Sequence, residues 1–246
     1  MEKGSYKLNI CHLYSEELNL YGDRGNIITL SKRCSWRGIG ASVVSKGIGE
    51  DFDHREHDIV FLGGGQDLEQ NIIRDDLMNI KGSQIREAVD EGVVFLTVCG
   101  GYQMMGEYYI DHEGKKMECL AAIPVRTETG DDRLIGNIVC ESDEFEIPVL
   151  AGFENHLGRT FLGEGARPLA RVIKGYGNNG KDGTEGARYK NVFCTYMHGS
   201  FLPKNPKAAD RMIQIALERK YGRNITLDPL DDRFETMARE KVISQM

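Results

Sequence analysis

The run VVFLTV, residues 93 to 98, is apolar throughout except for Thr97. A half-buried strand alternates polar and apolar side chains, so an unbroken apolar run predicts a strand covered on both faces, as in a parallel sheet layered by helices. The preceding segments fit that frame. KLNICHLY (7 to 14) reads as a first strand, and GDRGNIITLSKRCSWRG (22 to 38) sets Ile27, Leu30 and Cys34 at helical spacing behind Asp23 as a cap. ASVVSK (41 to 46) reads as a second strand and HDIVFLGGG (57 to 65) as a third that ends in three glycines. QDLEQNIIRDDLMNI and SQIREAVDEG carry helical patterns closed by Gly92. Strand, helix, strand, strand, helix, strand, helix over the first 107 residues predicts an α/β, doubly wound fold with a mostly parallel central sheet.

From about 108 to 195 the texture changes to short β-like runs between Gly, Asp and Asn turns: YYIDHEGKK, RLIGNIVCES, FEIPVLAGF, LARVIKGYG and NVFCTYMHG. These predict an antiparallel β extension. NPKAADRMIQIALERKYG (205 to 222) predicts a helix with Asn205 at the cap and Pro206 at its first position. Without an internal repeat or low-complexity linker, residues 1–222 read as one domain; the charged tail, 223–246, is expected to pack on it or on a partner. A chain of 246 residues that is 40% hydrophobic can bury a full core without a disulfide or a metal. Its 31 basic and 38 acidic residues are interspersed and give a net charge of −7, which points to small molecules and proteins as partners rather than nucleic acid or anionic membrane. MEKGSYKL lacks the apolar stretch of a signal peptide, and no run approaches the roughly 20 residues of a membrane span, so a cytoplasmic location without membrane insertion is expected. Six cysteines without any C-x-x-C pair are expected to be free thiols, most of them packed as small hydrophobes.

Ligands of open α/β sheets bind outside the carboxyl ends of the strands. Three features fall at such ends: Gly63, Gly64 and Gly65 after DIVFL, Cys99 after VVFLTV, and His198 after NVFCTYM. Gly100 and Gly101 permit a tight strand-to-helix turn that would hold the Cys99 thiol near the unpaired N–H groups of a helix start. Taken singly, Cys99 reads equally as a buried thiol and His198 as a structural histidine; brought to one rim, they read as nucleophile and base. Thiol activation is a small part of such chemistry. Lowering a thiol from about 8.5 to roughly 6 gains about 30-fold in thiolate and loses roughly 13-fold in nucleophilicity. Protonation of a leaving group by His198, and oxyanion donors at about 10² to 10³-fold each, carry more. The N–H of Gly100 and one from Gly64 or Gly65 are the candidate donors.

Several other patterns are discounted. GGGQDLEQ lacks the Lys-Ser/Thr of a phosphate-binding loop, and Gly175, Gly177 and Gly180 have dinucleotide-site spacing but continue into the turn-like KDGTEG. His54 and His57 have ligand spacing without a completing array, so surface positions and no metal are expected.

VCGGYQMMG resembles the nucleophile elbow of class I glutamine amidotransferases, and FLGGGQDLEQ, GFENHLGRT, GYGNN and YMHG are similar to their cobyric-acid-synthase-like branch. Within it, ELNLYGDRGNI and the series from GFENHLGRT to TYMHGSFLPKNP resemble the amidotransferase subunits of lipid II isoglutaminyl synthases, and the match runs over roughly residues 8 to 220. The resemblance implies that Cys99 attacks the side-chain amide of L-glutamine, that His198 acts as general acid/base, and that Arg133 in DDRLIGNIV grips the substrate carboxylate. Gln103 either lines the glutamine pocket or is a half-exposed helix residue. Class I enzymes usually carry a glutamate two residues after the histidine, where this chain has Ser200. The resemblance therefore implies a heterodimer in which a Mur-ligase-like, ATP-dependent partner completes the site with an acid in trans, holds ATP and Mg, and receives lipid II. An amidotransferase for a cobyrinate-type acceptor, a stand-alone cysteine hydrolase of γ-glutamyl compounds and a non-catalytic module of the same fold stay open.

Overall fold

Two sheets organise the chain, which the computed structural model describes over residues 6–65, 67–145 and 149–244. The first is built by β1 (Lys7–Leu13), α1 (Arg24–Trp36), β2 (Gly40–Lys46), β3 (Ile59–Leu62), α2 (Asp67–Asp76), α3 (Gly82–Asp90), β4 (Val94–Val98) and α4 (Gly100–Met105), in the order expected. The second, mainly antiparallel, comprises β5 (Tyr108–Ile110), β6 (Lys116–Glu118), β7 (Val125–Glu141), β8 (Val149–Leu162), β9 (Ala170–Lys174) and β10 (Thr184–Glu185), with β5 and β7 running parallel. β11 (Ala187–Tyr189) and β12 (Val192–Thr195) then return to the first sheet, followed by α5 (Phe201–Lys204), α6 (Pro206–Tyr221) and α7 (Arg233–Ser244). The first sheet has the order β11-β12-β4-β3-β1-β2, with only β11 antiparallel to its neighbour.

NVFCTYM thus leaves the antiparallel extension in which the sequence had placed it. All four residues of β12 are buried, as are all five of β4, and an apolar strand of that kind is stable only inside a covered sheet. Register aligns the ends: Leu62 pairs with Thr97, and Val98 with Thr195. Three parallel strands therefore stop at one level, where Gly63, Cys99 and the approach to His198 begin. Glu146, Ile147 and Pro148, from the FEIPVLAGF run, lie outside the described residues.

Ile27, Leu30 and Cys34 form the buried side of α1, as their spacing predicts. Between α2 and α3 the chain widens into a π-helical turn, Leu77–Lys81. There the buried Lys81 ammonium donates to the buried Asp76 carboxylate, which also accepts from the Tyr14 hydroxyl at 2.6 Å and the Gly49 N–H at 2.6 Å. Buried charges persist when paired and hydrogen-bonded in this way. His54 and His57 are buried, contrary to the surface positions expected of them. His54 Nδ1 lies 2.8 Å from Gln84 Oε1, and the His57 ring stacks on Phe52 at 5.3 Å, so packing rather than ligation explains the pair. The loop with Gly175, Gly177 and Gly180 holds all three at positive φ and starts no helix. Asn205 precedes α6 without capping it; its side chain instead bonds both backbone groups of Ala151 and the Phe201 carbonyl, tying α5 to β8. In the charged tail, α7 packs on α5 and β8, and Asp232 pairs with the buried Arg33 at 2.7 Å. Among the described residues no helix is long and apolar enough to cross a membrane.

Phe95, the second residue of β4, is fully buried. Phe95→Ala is expected to lower the unfolding free energy by about 3–5 kcal/mol, read from urea denaturation, because the surrounding sheet collapses only partly into the space vacated.

Candidate active site

Cys99 is held by its backbone. It occupies φ 48°, ψ −104°, a conformation rare outside glycine, at the junction of β4 and α4. Its N–H donates to the Thr195 carbonyl at 3.0 Å, and its carbonyl accepts from the Gln103 N–H at 3.0 Å, so strand and helix both pin the turn. The turn has no room for side chains around it: a Cβ on Gly101 would lie 2.6 Å from the Leu62 carbonyl oxygen, and one on Gly100 2.6 Å from that of Gly65. Strain concentrated at a single residue between two rigid elements is a recurrent property of nucleophile turns. Burial pushes the thiols of Cys11, Cys34 and Cys194 up to about 12 and that of Cys119 up to about 11.

His198 is fully buried, and its backbone forms an isolated bridge with Phe153 of β8, its N–H donating to the Phe153 carbonyl at 2.6 Å. Asp23 Oδ2 stands 3.5 Å from His198 Nδ1, and that carboxylate is fully buried too. Burial alone would push the imidazole down; the Asp23 carboxylate and the Cys99 sulfur outweigh it and raise His198 to about 10. A carboxylate of this chain thus lies near the His198 ring. Asp23 does not cap α1, as was expected of it: the Arg24 N–H is taken by Asn19 Oδ1 at 3.0 Å, and Asp23 Oδ2 accepts from the Gly64 N–H at 2.9 Å.

That last bond changes the role of the glycine run. The Gly64 N–H points to Asp23 and is not available to an oxyanion, whereas no described acceptor takes the N–H of Gly65 or Gly100. A Cβ on Gly64 would stand 2.5 Å from His198 Cε1, which explains why the ring approaches this backbone so closely.

Cys99, Gly65, Gln103 and Arg133 line one cavity of about 360 Å³ together with Tyr21, Gln70, Asn155, His156 and Gly158. Gln103 is buried, not half-exposed: its Oε1 accepts from Gln70 at 3.2 Å and its Nε2 donates to the Tyr196 hydroxyl at 3.1 Å. Arg133 Nη1 donates to Asn155 Oδ1 at 2.8 Å, and Asn155 donates to the Tyr21 hydroxyl. The Tyr21 ring then packs edge-on against His198 at 4.9 Å. His156 stacks on Tyr196 at 3.6 Å and is lowered, first by its burial. Sequence reasoning missed Asp23 and Tyr21 as site residues although both sit in ELNLYGDRGNI, and Asn155 and His156 although both sit in GFENHLGRT. Among the described residues no group of three or more His, Cys, Asp or Glu is placed to hold a metal.

A thiol, an imidazole and a carboxylate in sequence, two backbone donors at the thiol, and a guanidinium across a cavity from it make an arrangement suited to acyl transfer from an amino-acid side chain. Residues 9–206 match the model of the CobB/CobQ-like glutamine amidotransferase domain. The chain belongs to this family. It is 42% identical, over 92% of its length and 87% of the relative's, to the protein named lipid II isoglutaminyl synthase (glutamine-hydrolyzing) subunit GatD of Streptococcus pneumoniae. The same identity extends over 98% of the chain and 96% of the relative for the Staphylococcus aureus protein of that name. A cobyric acid synthase of Pelotomaculum thermopropionicum is 35% identical, but over 48% of this chain and 25% of its own length. Among solved structures, PurLQS of Thermotoga maritima superimposes with a TM-score of 0.61 at 14% identity, covering 88% of this chain and 100% of that one. A glutamine amidotransferase of the same organism gives 0.54 at 16% identity, covering 95% and 90%. The expected α/β, mostly parallel architecture is thus the fold of class I glutamine amidotransferases. The chain is an enzyme that uses glutamine as amido donor.

Gly64→Ala tests the close approach at His198. A displaced imidazole is expected to lower the kcat for ammonia release from glutamine by about 10²-fold, the typical effect of a displacement near 1 Å, with the circular dichroism spectrum unchanged.

Proposed function

We propose that this chain is the glutaminase subunit of a lipid II isoglutaminyl synthase. One observation carries the reading: two subunits of that name match the chain at 42% identity over nearly its whole length and theirs, whereas the cobyric acid synthase match covers about half of it. A cobyrinate-type acceptor and stand-alone γ-glutamyl hydrolysis have no comparable support.

Arg133 binds the α-carboxylate of L-glutamine by a charge-assisted pair and Asn155 fixes the guanidinium, while Gln103 and Gln70 line the same cavity. The Cys99 thiolate attacks the side-chain amide carbon, and the oxygen takes up the negative charge against the N–H groups of Gly65 and Gly100. His198 gives its proton to the amide nitrogen, the C–N bond breaks, ammonia leaves and a γ-glutamyl thioester remains on Cys99. A water molecule, losing its proton to His198, then attacks the thioester, releases glutamate and restores the thiol. The ammonia passes to a Mur-ligase-like partner, which binds ATP and Mg, activates the α-carboxyl of D-glutamate in the lipid II stem peptide and amidates it. The pair works in peptidoglycan synthesis, and the site of the reaction is the cytoplasm.

Cys99→Ser is expected to abolish ammonia release measured with the chain alone and with a co-purifying ligase; full activity in the serine variant would remove Cys99 from the chemistry. Arg133 is solvent-exposed, so Arg133→Ala is expected to raise KM for glutamine by only about 10-fold, with kcat reduced far less.

A further inference from the structure

A cavity of about 450 Å³, sharing no lining residue with the Cys99 cavity, opens between α1 and the ends of β1 and β2. Its position follows from the fold. His12 and Ser45 are the penultimate residues of β1 and β2, and register pairs them, so their side chains stand next to each other on the face of the sheet that also carries Val43. Arg24, Ile27, Ile28, Ser31 and Lys32 recur at three- and four-residue intervals along α1 and form the opposing wall. The carboxyl ends of parallel strands are where open α/β sheets bind small molecules, and the volume is that of an ordinary small-molecule site. The polar groups in this cavity are not paired with one another. His12 is 3% exposed, and its Nε2 meets no hydrogen-bonding partner among the described residues; Ser31 Oγ is buried and unpartnered in the same way. An unmade hydrogen bond at a buried donor or acceptor is costly, and a ligand in the cavity removes that cost. Arg24 and Lys32 are exposed and form no ion pair among the described residues. Burial first and the Arg24 charge second push the His12 imidazole down to about 4, against the opposing pull of Asp23, so the guanidinium is close enough for the ring to feel it.

We propose that this cavity binds the phosphate group of a small phosphorylated molecule. Arg24 and Lys32 supply two positive charges, and the His12 ring and the hydroxyls of Ser15, Ser31 and Ser45 supply further donors. A phosphate monoester presents three terminal oxygens and nearly two negative charges, whereas a carboxylate presents two oxygens and one charge, so a donor set of this size suits the phosphate. Glu16 is the one acidic residue of the wall. Its carboxylate repels an anion and accepts from a hydroxyl or an amine, so the remainder of the ligand, not its phosphate, faces that side. Ile27, Ile28 and Val43 give the same remainder an apolar surface. Inorganic phosphate shares the charged half of this chemistry; only an ester also meets Glu16 and the apolar wall. The proposal is independent of the glutaminase reading, because no residue of this cavity takes part in the chemistry at Cys99.

The full-length chain is titrated by isothermal calorimetry at constant ionic strength with inorganic phosphate, glucose 6-phosphate and glucose. Both phosphates are expected to bind and glucose is not, with the ester about 10-fold tighter than the free ion. Equal affinities would name inorganic phosphate as the ligand and still support the site. Arg24→Gln removes a charge-assisted bond and is expected to weaken both phosphates by about 10-fold; Ser31→Ala removes a neutral one and is expected to weaken them by about threefold. Lys32→Gln, one turn or more from the Asp23 junction, gives the same reading as Arg24→Gln should that variant fail to fold. Location is read separately by nuclear magnetic resonance: the imidazole nitrogen resonances of His12 are expected to shift on addition of either phosphate, and those of His156 and His198 to stay in place. The absence of binding by both phosphates up to about 10 mM would overturn the proposal. So would binding that leaves the His12 resonances unmoved, or an affinity that Lys32→Gln and Ser31→Ala both leave at the wild-type value.

Discussion

The register of three parallel strands governs the site. β3, β4 and β12 end at one level because Leu62, Thr97 and their neighbours are locked by backbone pairing, and each strand is buried on both faces. A slip of one residue would turn every side chain of a strand to the opposite layer, so the pairing is strongly specified. The glycine run, the strained cysteine and the histidine loop inherit their mutual distances from that pairing. The core gives the site its rigidity, and the site's irregular backbone, with Cys99 and Ser200 at positive φ, is the local cost of aiming side chains outward from it.

Much of this was legible in the sequence. VVFLTV announced a covered strand, the Gly pair after Cys99 announced a tight turn, and separate apolar runs placed the three candidate features at strand ends. These signals are local or depend only on a strand's own side chains. Asp23 was read as a helix cap because Asp before a helical pattern is a local preference, whereas its actual partners, Gly64 and His198, lie far along the chain. The same limit hid β12, whose apolar character was visible but whose neighbour was not, and the burial of His54 and His57, which is decided by what α3 and Phe52 bring to them. Ser200 two residues after His198 was legible as a departure from the usual glutamate; that Asp23 lies near the ring is visible only in the fold.

The second sheet does more than enlarge the molecule. β7 and β8 supply Arg133, Asn155 and His156 to the cavity wall opposite the strand ends, and the bridge from Phe153 fastens that wall to the histidine. Tyr21 closes a path of contacts from the guanidinium through Asn155 to the imidazole ring. A cavity shaped by both sheets also explains how Cys99 of the first and Arg133 of the second come to line it together.

Phe153 and Asn155 are two residues apart on one extended strand, about 6.6 Å at the usual rise. Phe153 holds the histidine by its backbone, and Asn155 holds the arginine by its side chain. On the proposed reading, the group that grips an amino acid by its head and the group that protonates the nitrogen of its tail are thus spaced by a stretch of β-strand that cannot lengthen or shorten. Such a site works as a gauge.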